Sequence, residues 1–384
     1  MTQHARLDQP TIPFVDVAAQ RRRLGTRIDE AIARVTAHCQ FIMGPEVYAC
    51  EADLAAFCGV RHAITVSNGT DALVLALMAL GIGRGDAVFC PSFTFCATGE
   101  AIALVGATPV FVDVDERTFN IDIDSLERAI ASLAGTDLRA KAIMPVDLFG
   151  LPVEYDALDV IAAKHGLTVI ADAAQSFGAT YRERKVGTLA PITTTSFFPA
   201  KPLGCYGDGG AVFTDDDQLA AALKSLRNHG EGSHRYDNVR IGLNGRMDTM
   251  QCAVLIEKLK IFPDEIAARN RVARRYSDAL ADVATVPVVP NSCESVWAQY
   301  TIRIAGGRRD AVQQALRAEG IPSVIYYPTP THRQTAYRDF PLAKGGLPVT
   351  ETLSQDVLSL PMHAYLDDAT QDRIIAATRR AIGK

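Results

Sequence analysis

Seven short apolar runs punctuate the first 214 residues: HAITVS (62–67), DAVFC (86–90), TPVFVDV (108–114), KAIMPVD (141–147), LTVIAD (167–172), TTTSFF (193–198) and GAVFT (210–214). Most are apolar throughout instead of alternating, which predicts strands covered on both faces. Between them, DALVLALMALGI and GEAIALVG have the apolar density of helices packed on a sheet. DALDVIAAKHG adds helical periodicity and a glycine stop. Strands separated by helices predict an α/β fold with a largely parallel sheet.

Beyond GAVFT the pattern changes. DTMQCAVLIEKLKIF and PDEIAARNRVARRYSDALADV read as long helix, with Pro263 starting or kinking a segment. VPVVP (286–290), AQYTIRIA (298–305) and PSVIYY (322–327) are short strand candidates, and RDAVQQALRAEG and DDATQDRIIAATRRAI are helices. We therefore expect an N-terminal segment and large domain over residues 1–260. A connecting helix and a small α+β domain follow over 261–384. A length of 384 residues accommodates both cores.

A net charge of −5 gives no electrostatic reason to expect nucleic acid or an anionic membrane as a partner. No run of about 18 apolar residues predicts a membrane span. The opening MTQHARLDQPTIPFVD lacks a basic start followed by an apolar stretch, so no signal peptide is expected. The eight cysteines form no CxxC pair and join no histidine at metal-ligand intervals, so neither a metal site nor a disulfide framework is expected. Scattered thiols suit a reducing cytoplasm.

Four features sit at the ends of predicted strands, where open α/β sheets bind ligands. SNGTDAL (67–73) joins a strand end to a helix start, whose backbone N–H groups can hold an anion or merely be capped. PSFTFCAT (91–98) places Phe93 and Phe95 after a strand, as core or as a face for a planar heterocycle. In ADAAQSFGA (171–179), Asp172 ends an apolar strand, a costly place for a carboxylate unless it caps a helix or meets a cation. SFFPAKPLGCYGDGGAVFT (196–214) sets Lys201 between aromatics and glycines, either solvated in a turn or held in a pocket as a nucleophile. Taken together they supply a phosphate cup, a stacking ring, an acid for a pyridinium nitrogen and an amine for an aldehyde. Those are the functional groups of pyridoxal 5′-phosphate. Lys201 is the expected Schiff-base lysine.

These segments, with GATPVFVDVD, RNHG, IGLNGRMDTMQ and LSLPMH, resemble the DegT/DnrJ/EryC1/StrS family of nucleotide-sugar aminotransferases from about residue 11 to about 375. The resemblance implies a type I (aspartate aminotransferase-like) fold with a seven-stranded, mostly parallel sheet, a small C-terminal domain and a homodimer. It makes Lys201 the Schiff-base lysine and Asp172 the pyridinium partner. Gln175 falls near the ring hydroxyl, and Phe95 stacks on the ring. Gly69, Thr70 and Ser196 become phosphate binders. Asn244 reaches the phosphate of the neighbouring subunit, and Arg246 is placed to bind an anionic part of the substrate across the interface, so the active sites would be shared.

The family's members with histidine at the lysine position perform deoxygenation; lysine here disfavours that branch. L-Glutamate is the implied amino donor. SFFPAKPLGCYGDGGA with NGRMDT resembles the subgroup acting on UDP-linked 3-oxo sugars such as UDP-2-acetamido-2-deoxy-3-oxo-glucuronate, for bacterial surface polysaccharides such as O-antigen or lipopolysaccharide. In SVIYYPTPTHRQTAY (323–337) Tyr326 stands where the family commonly has histidine, and Tyr327 and His332 are substrate-side candidates or local packing. Other 3-oxo or 4-keto sugars linked to UDP or dTDP, another reaction of the same cofactor such as dehydration, and a non-catalytic regulator are the alternatives.

Overall fold

A computed structural model describes residues 12–234 and 236–383. The first eleven residues, over which most of the signal-peptide reading was made, lie outside them. All seven expected strands form one sheet. From edge to edge they are His62–Val66, Gly210–Thr214, Ile192–Ser196, Thr168–Asp172, Arg139–Ile143, Asp86–Pro91 and Thr108–Val112. The last five are parallel neighbours, and Gly210–Thr214 runs antiparallel to both strands beside it. Asp86–Pro91 and Gly210–Thr214 are buried at every position, as strands covered on both faces must be.

The register gathers chemistry at one end of this sheet. Asp172 lies opposite Thr194, Ser196 opposite Gly210, and Gly210 also opposite Val66. The C-terminal ends of the parallel strands therefore meet the start of the antiparallel one. The helix Gly69–Ala79 leaves from this end, with Ala72 to Leu77 continuously buried. A helix apolar on all sides has to be enclosed.

Pro263 starts a helix, as the sequence suggested. Thr249–Leu259 stops, and Phe262–Leu280 begins with the proline in its first turn, where its missing N–H has no role to fill. Phe262 and Ile266 belong to the core around the large sheet, whereas Val272, Tyr276 and Leu280 belong to a second core with Trp297, Tyr300, Leu358 and Ile374. That second core packs around the antiparallel pair Tyr300–Arg303 and Val357–Leu360.

Two strand expectations shrink. VPVVP forms no strand, because Pro287 and Pro290 have no N–H to donate to a ladder. PSVIYY contributes only a bridge between Val324 and Ser359. All eight cysteines are free. No helix among the described residues is long and apolar enough to cross a membrane, and among the same residues no group of three His, Cys, Asp or Glu side chains could hold a metal ion.

Candidate functional site

Asp172 ends its strand buried, 5% exposed. Its Oδ2 accepts from Thr98 Oγ at 2.8 Å and its Oδ1 from the Ala174 N–H at 3.2 Å. These bonds, and the charge of Lys201, favour the carboxylate, but burial outweighs them and raises its pKa. A cation brought against this carboxylate would reverse that balance.

Lys201 sits in the turn after the strand Ile192–Ser196, where its own N–H donates to Phe198 O at 2.8 Å. Enclosure by protein lowers its pKa to about 8, opposed by Asp172. The two groups sense each other without forming a salt bridge among the described residues. Each is pushed toward its neutral form by burial, a displacement typical of functional sites.

The anion cradle is also present. Asn68 caps the helix Gly69–Ala79 by accepting the Asp71 N–H at 2.8 Å, and the Ala72 N–H makes the first helical bond, to Asn68 O. The N–H groups of Gly69 and Thr70 therefore head the helix outside its ladder. Ser196 abuts them. A Cβ on Gly69 would lie 2.7 Å from the Cβ of Ser196, so only glycine lets strand end and helix start meet. A phosphate group fits this donor set.

Phe93 and Phe95 have different fates. Phe93 is fully buried, edge-on to Phe149 and Tyr327, whereas Phe95 is 57% exposed with its ring centroid 6.4 Å from that of Tyr327. Gln175 is buried, accepts the Phe149 N–H at 2.7 Å and donates to Tyr327 Oη at 3.0 Å. Tyr327 is thus tied to the turn that follows Asp172, and burial raises its pKa. Tyr326 is half-buried between Phe14 and Tyr327.

His332 is buried with both ring nitrogens engaged. Ser92 Oγ accepts the His332 backbone N–H at 3.0 Å, so its own proton goes to Nδ1 at 2.7 Å, and Nε2 donates to Glu351 at 3.3 Å. Burial lowers its pKa, opposed by Glu351. This geometry makes His332 an anchor for its segment.

Asn244 and Arg246 flank Gly245, whose carbonyl accepts the Ser67 N–H at 2.9 Å. The loop therefore lies beside the cradle's strand. Asn244 is exposed, while Arg246 donates to Asn228 Oδ1 at 2.5 Å and keeps a buried Nε without a partner.

Sequence reasoning missed two supports. Thr98, the last residue of PSFTFCAT, reaches Asp172 across 74 positions. Asp147 is buried behind the site, receiving Ser176 at 2.8 Å, Tyr155 at 3.1 Å and the Val153 N–H at 2.9 Å. Burial pushes its pKa up to about 7 against those bonds, with repulsion from Asp172 adding to the rise. Through Ser176 it fastens the turn that carries Gln175.

Residues 22–379 match the DegT/DnrJ/EryC1/StrS aminotransferase family. The chain is 47% identical over 367 residues, 95% of its length and 99% of the relative's, to the UDP-2-acetamido-2-deoxy-3-oxo-D-glucuronate aminotransferase of Pseudomonas aeruginosa. It is 40% identical over 98% of its length to the dTDP-3-amino-3,4,6-trideoxy-alpha-D-glucose transaminase of Streptomyces venezuelae, of which it covers 97%. The crystal structure of a DegT DnrJ EryC1 StrS aminotransferase from Brucella abortus superposes with a TM-score of 0.95 at 53% identity, covering 97% of this chain and 100% of that one.

Proposed function

This chain belongs to the DegT/DnrJ/EryC1/StrS aminotransferase family, and from that premise we propose that it transfers an amino group from L-glutamate to the 3-keto carbon of a UDP-linked sugar. Its similarity to the Pseudomonas aeruginosa enzyme supports UDP-2-acetamido-2-deoxy-3-oxo-glucuronate as that sugar. Pyridoxal 5′-phosphate, the family's cofactor, supplies when bound an electron sink for negative charge at the amino-acid α-carbon.

The chain's own residues do the rest. Lys201 would hold the cofactor, and its amine would serve as the base that moves the proton at the donor α-carbon. Enclosure lowers its pKa to about 8, which makes the neutral amine more available near neutral pH than in an ordinary lysine. Asp172 would favour the protonated form of the ring nitrogen, and Thr98 keeps the carboxylate aimed. Gly69 and Thr70 N–H groups with the Thr70 and Ser196 hydroxyls would bind the phosphate, and Phe95 and Gln175 would hold the ring. Arg246, Tyr326 and Tyr327 meet the substrate, and His332 sets the substrate-side segment through Ser92 and Glu351.

The observation that carries this reading is the separated pair Asp172 and Lys201 beside an anion cradle, with opposite pKa displacements and no bond between them. A homodimer in which Asn244 reaches the partner's phosphate, the division at residues 260 and 261, a cytoplasmic location and a role in bacterial surface polysaccharide synthesis complete the proposal. The two cores joined by the helix Phe262–Leu280 support the division.

The test is to convert cofactor-loaded protein with glutamate and then add UDP-linked 3-oxo-glucuronate, its 3-oxo-glucose analogue or a 4-keto nucleotide sugar. The visible spectrum should change with glutamate and be restored by the 3-oxo-glucuronate. No change with glutamate contradicts the aminotransferase reading, and restoration by the 4-keto sugar alone contradicts the substrate.

A further inference from the structure

The turn that carries Lys201 is gripped from behind by a second lysine. Lys258, on the helix Thr249–Leu259, is fully buried. Its Nζ donates to Gly204 O at 2.5 Å and stands 4.2 Å from the centre of the Tyr206 ring. It makes no salt bridge among the described residues. An enclosed ammonium with no carboxylate partner is expensive, and a methionine would fill the same space without that penalty. Burial lowers its pKa to about 8, with Cys205 and Glu265 opposing.

The grip falls on a turn that transmits it. A Cβ on Gly204 would lie 2.5 Å from Phe198 O and 2.7 Å from Pro199 O, so Gly204 is pressed onto the start of the turn. The N–H of Lys201 is bonded to that same Phe198 carbonyl, and the Cys205 N–H to Phe197 O at 2.8 Å. About two helical turns away, Gln251 Oε1 accepts the Tyr206 N–H at 2.8 Å, a second hold from the same helix.

We propose that Lys258 is a positioning residue for Lys201, fixing the turn through the Gly204 carbonyl so that the Lys201 amine is held at its working place. The inference rests on Lys201 being the residue that captures the cofactor.

The experiment compares holoenzyme with Lys258→Met by hydrogen exchange and kinetics. Amides in residues 197–207 should exchange about tenfold faster or more, while the strands Thr168–Asp172 and Gly210–Thr214 stay unchanged. kcat should fall about tenfold with KM for glutamate within about twofold. If Lys258→Met does not fold, Gln251→Met tests the same grip, with a smaller acceleration confined to the same peptide. Unchanged exchange in 197–207, equal acceleration throughout the sheet, or a faster turn with undiminished kcat would each overturn the positioning role. Failure of glutamate to convert the wild-type cofactor would instead sink the functional reading, and the exchange data would still report whether Lys258 holds the turn.

Discussion

Glu51–Arg227 and Asp172–Lys201 are both carboxylate–cation pairs built around the same sheet, but only the first is closed. Arg227 and Glu51 are buried in direct contact. Glu51 also accepts the N–H and hydroxyl of Thr65, both at 2.9 Å, and Arg227 donates to Thr65 O at 2.7 Å. Asp172 and Lys201 have no such contact; each has its charged form disfavoured by enclosure. A structural pair satisfies itself, whereas a functional pair leaves capacity for something placed between.

Four substitutions probe this contrast in descending order of effect. Lys201→Ala should reduce turnover by about 10⁴-fold or more while leaving the fold intact, because the removed amine is nucleophile and proton carrier in one. Asp172→Asn should lower kcat by about 10³-fold yet change the melting of the cofactor-free protein by less than about 1 kcal/mol, since the deleted charge was already penalised there. Arg227→Met should behave in the opposite way. Leaving Glu51 buried and alone costs about 3–5 kcal/mol of stability by denaturant titration, with kcat near wild type below the melting temperature. If Asp172→Asn and Arg227→Met produced the same stability loss, the distinction between the pairs would collapse. Thr98→Val should be mildest, losing about 1 kcal/mol and lowering kcat about fivefold as Asp172 loses a donor to its charged form.

A pH profile sharpens the same point. The neutral amine is the reactive form, so the rate at which cofactor-free protein captures pyridoxal phosphate should rise with pH, half-maximal near pH 8. A midpoint near an ordinary lysine's, about 10.4, would show that Lys201 is solvated.

Much of this was legible in the sequence, and the reasons are local. The strands were readable because fully enclosed runs such as DAVFC stay apolar at every position, and Pro263 marked a helix start by its missing N–H. VPVVP misled because valine content suggests a strand while its two prolines deny the ladder. Lys201, Asp172, Gly69 and Ser196 stood out because strand ends bring ligand-binding chemistry together. Thr98 and Lys258 did not, since their partners lie 74 and 54 positions away and only the fold supplies the approach. His332 was recognised as a candidate, but its engagement by Ser92 across 240 positions could only be seen in three dimensions.

Lys201 is the amine proposed to bind the cofactor. Borohydride reduction of the pyridoxal phosphate-loaded protein, followed by peptide mapping, tests this assignment most directly. The added cofactor mass should appear on the peptide containing Lys201, in nearly one equivalent per chain. Its appearance on Lys258 or any other lysine, or on none, would contradict the assignment.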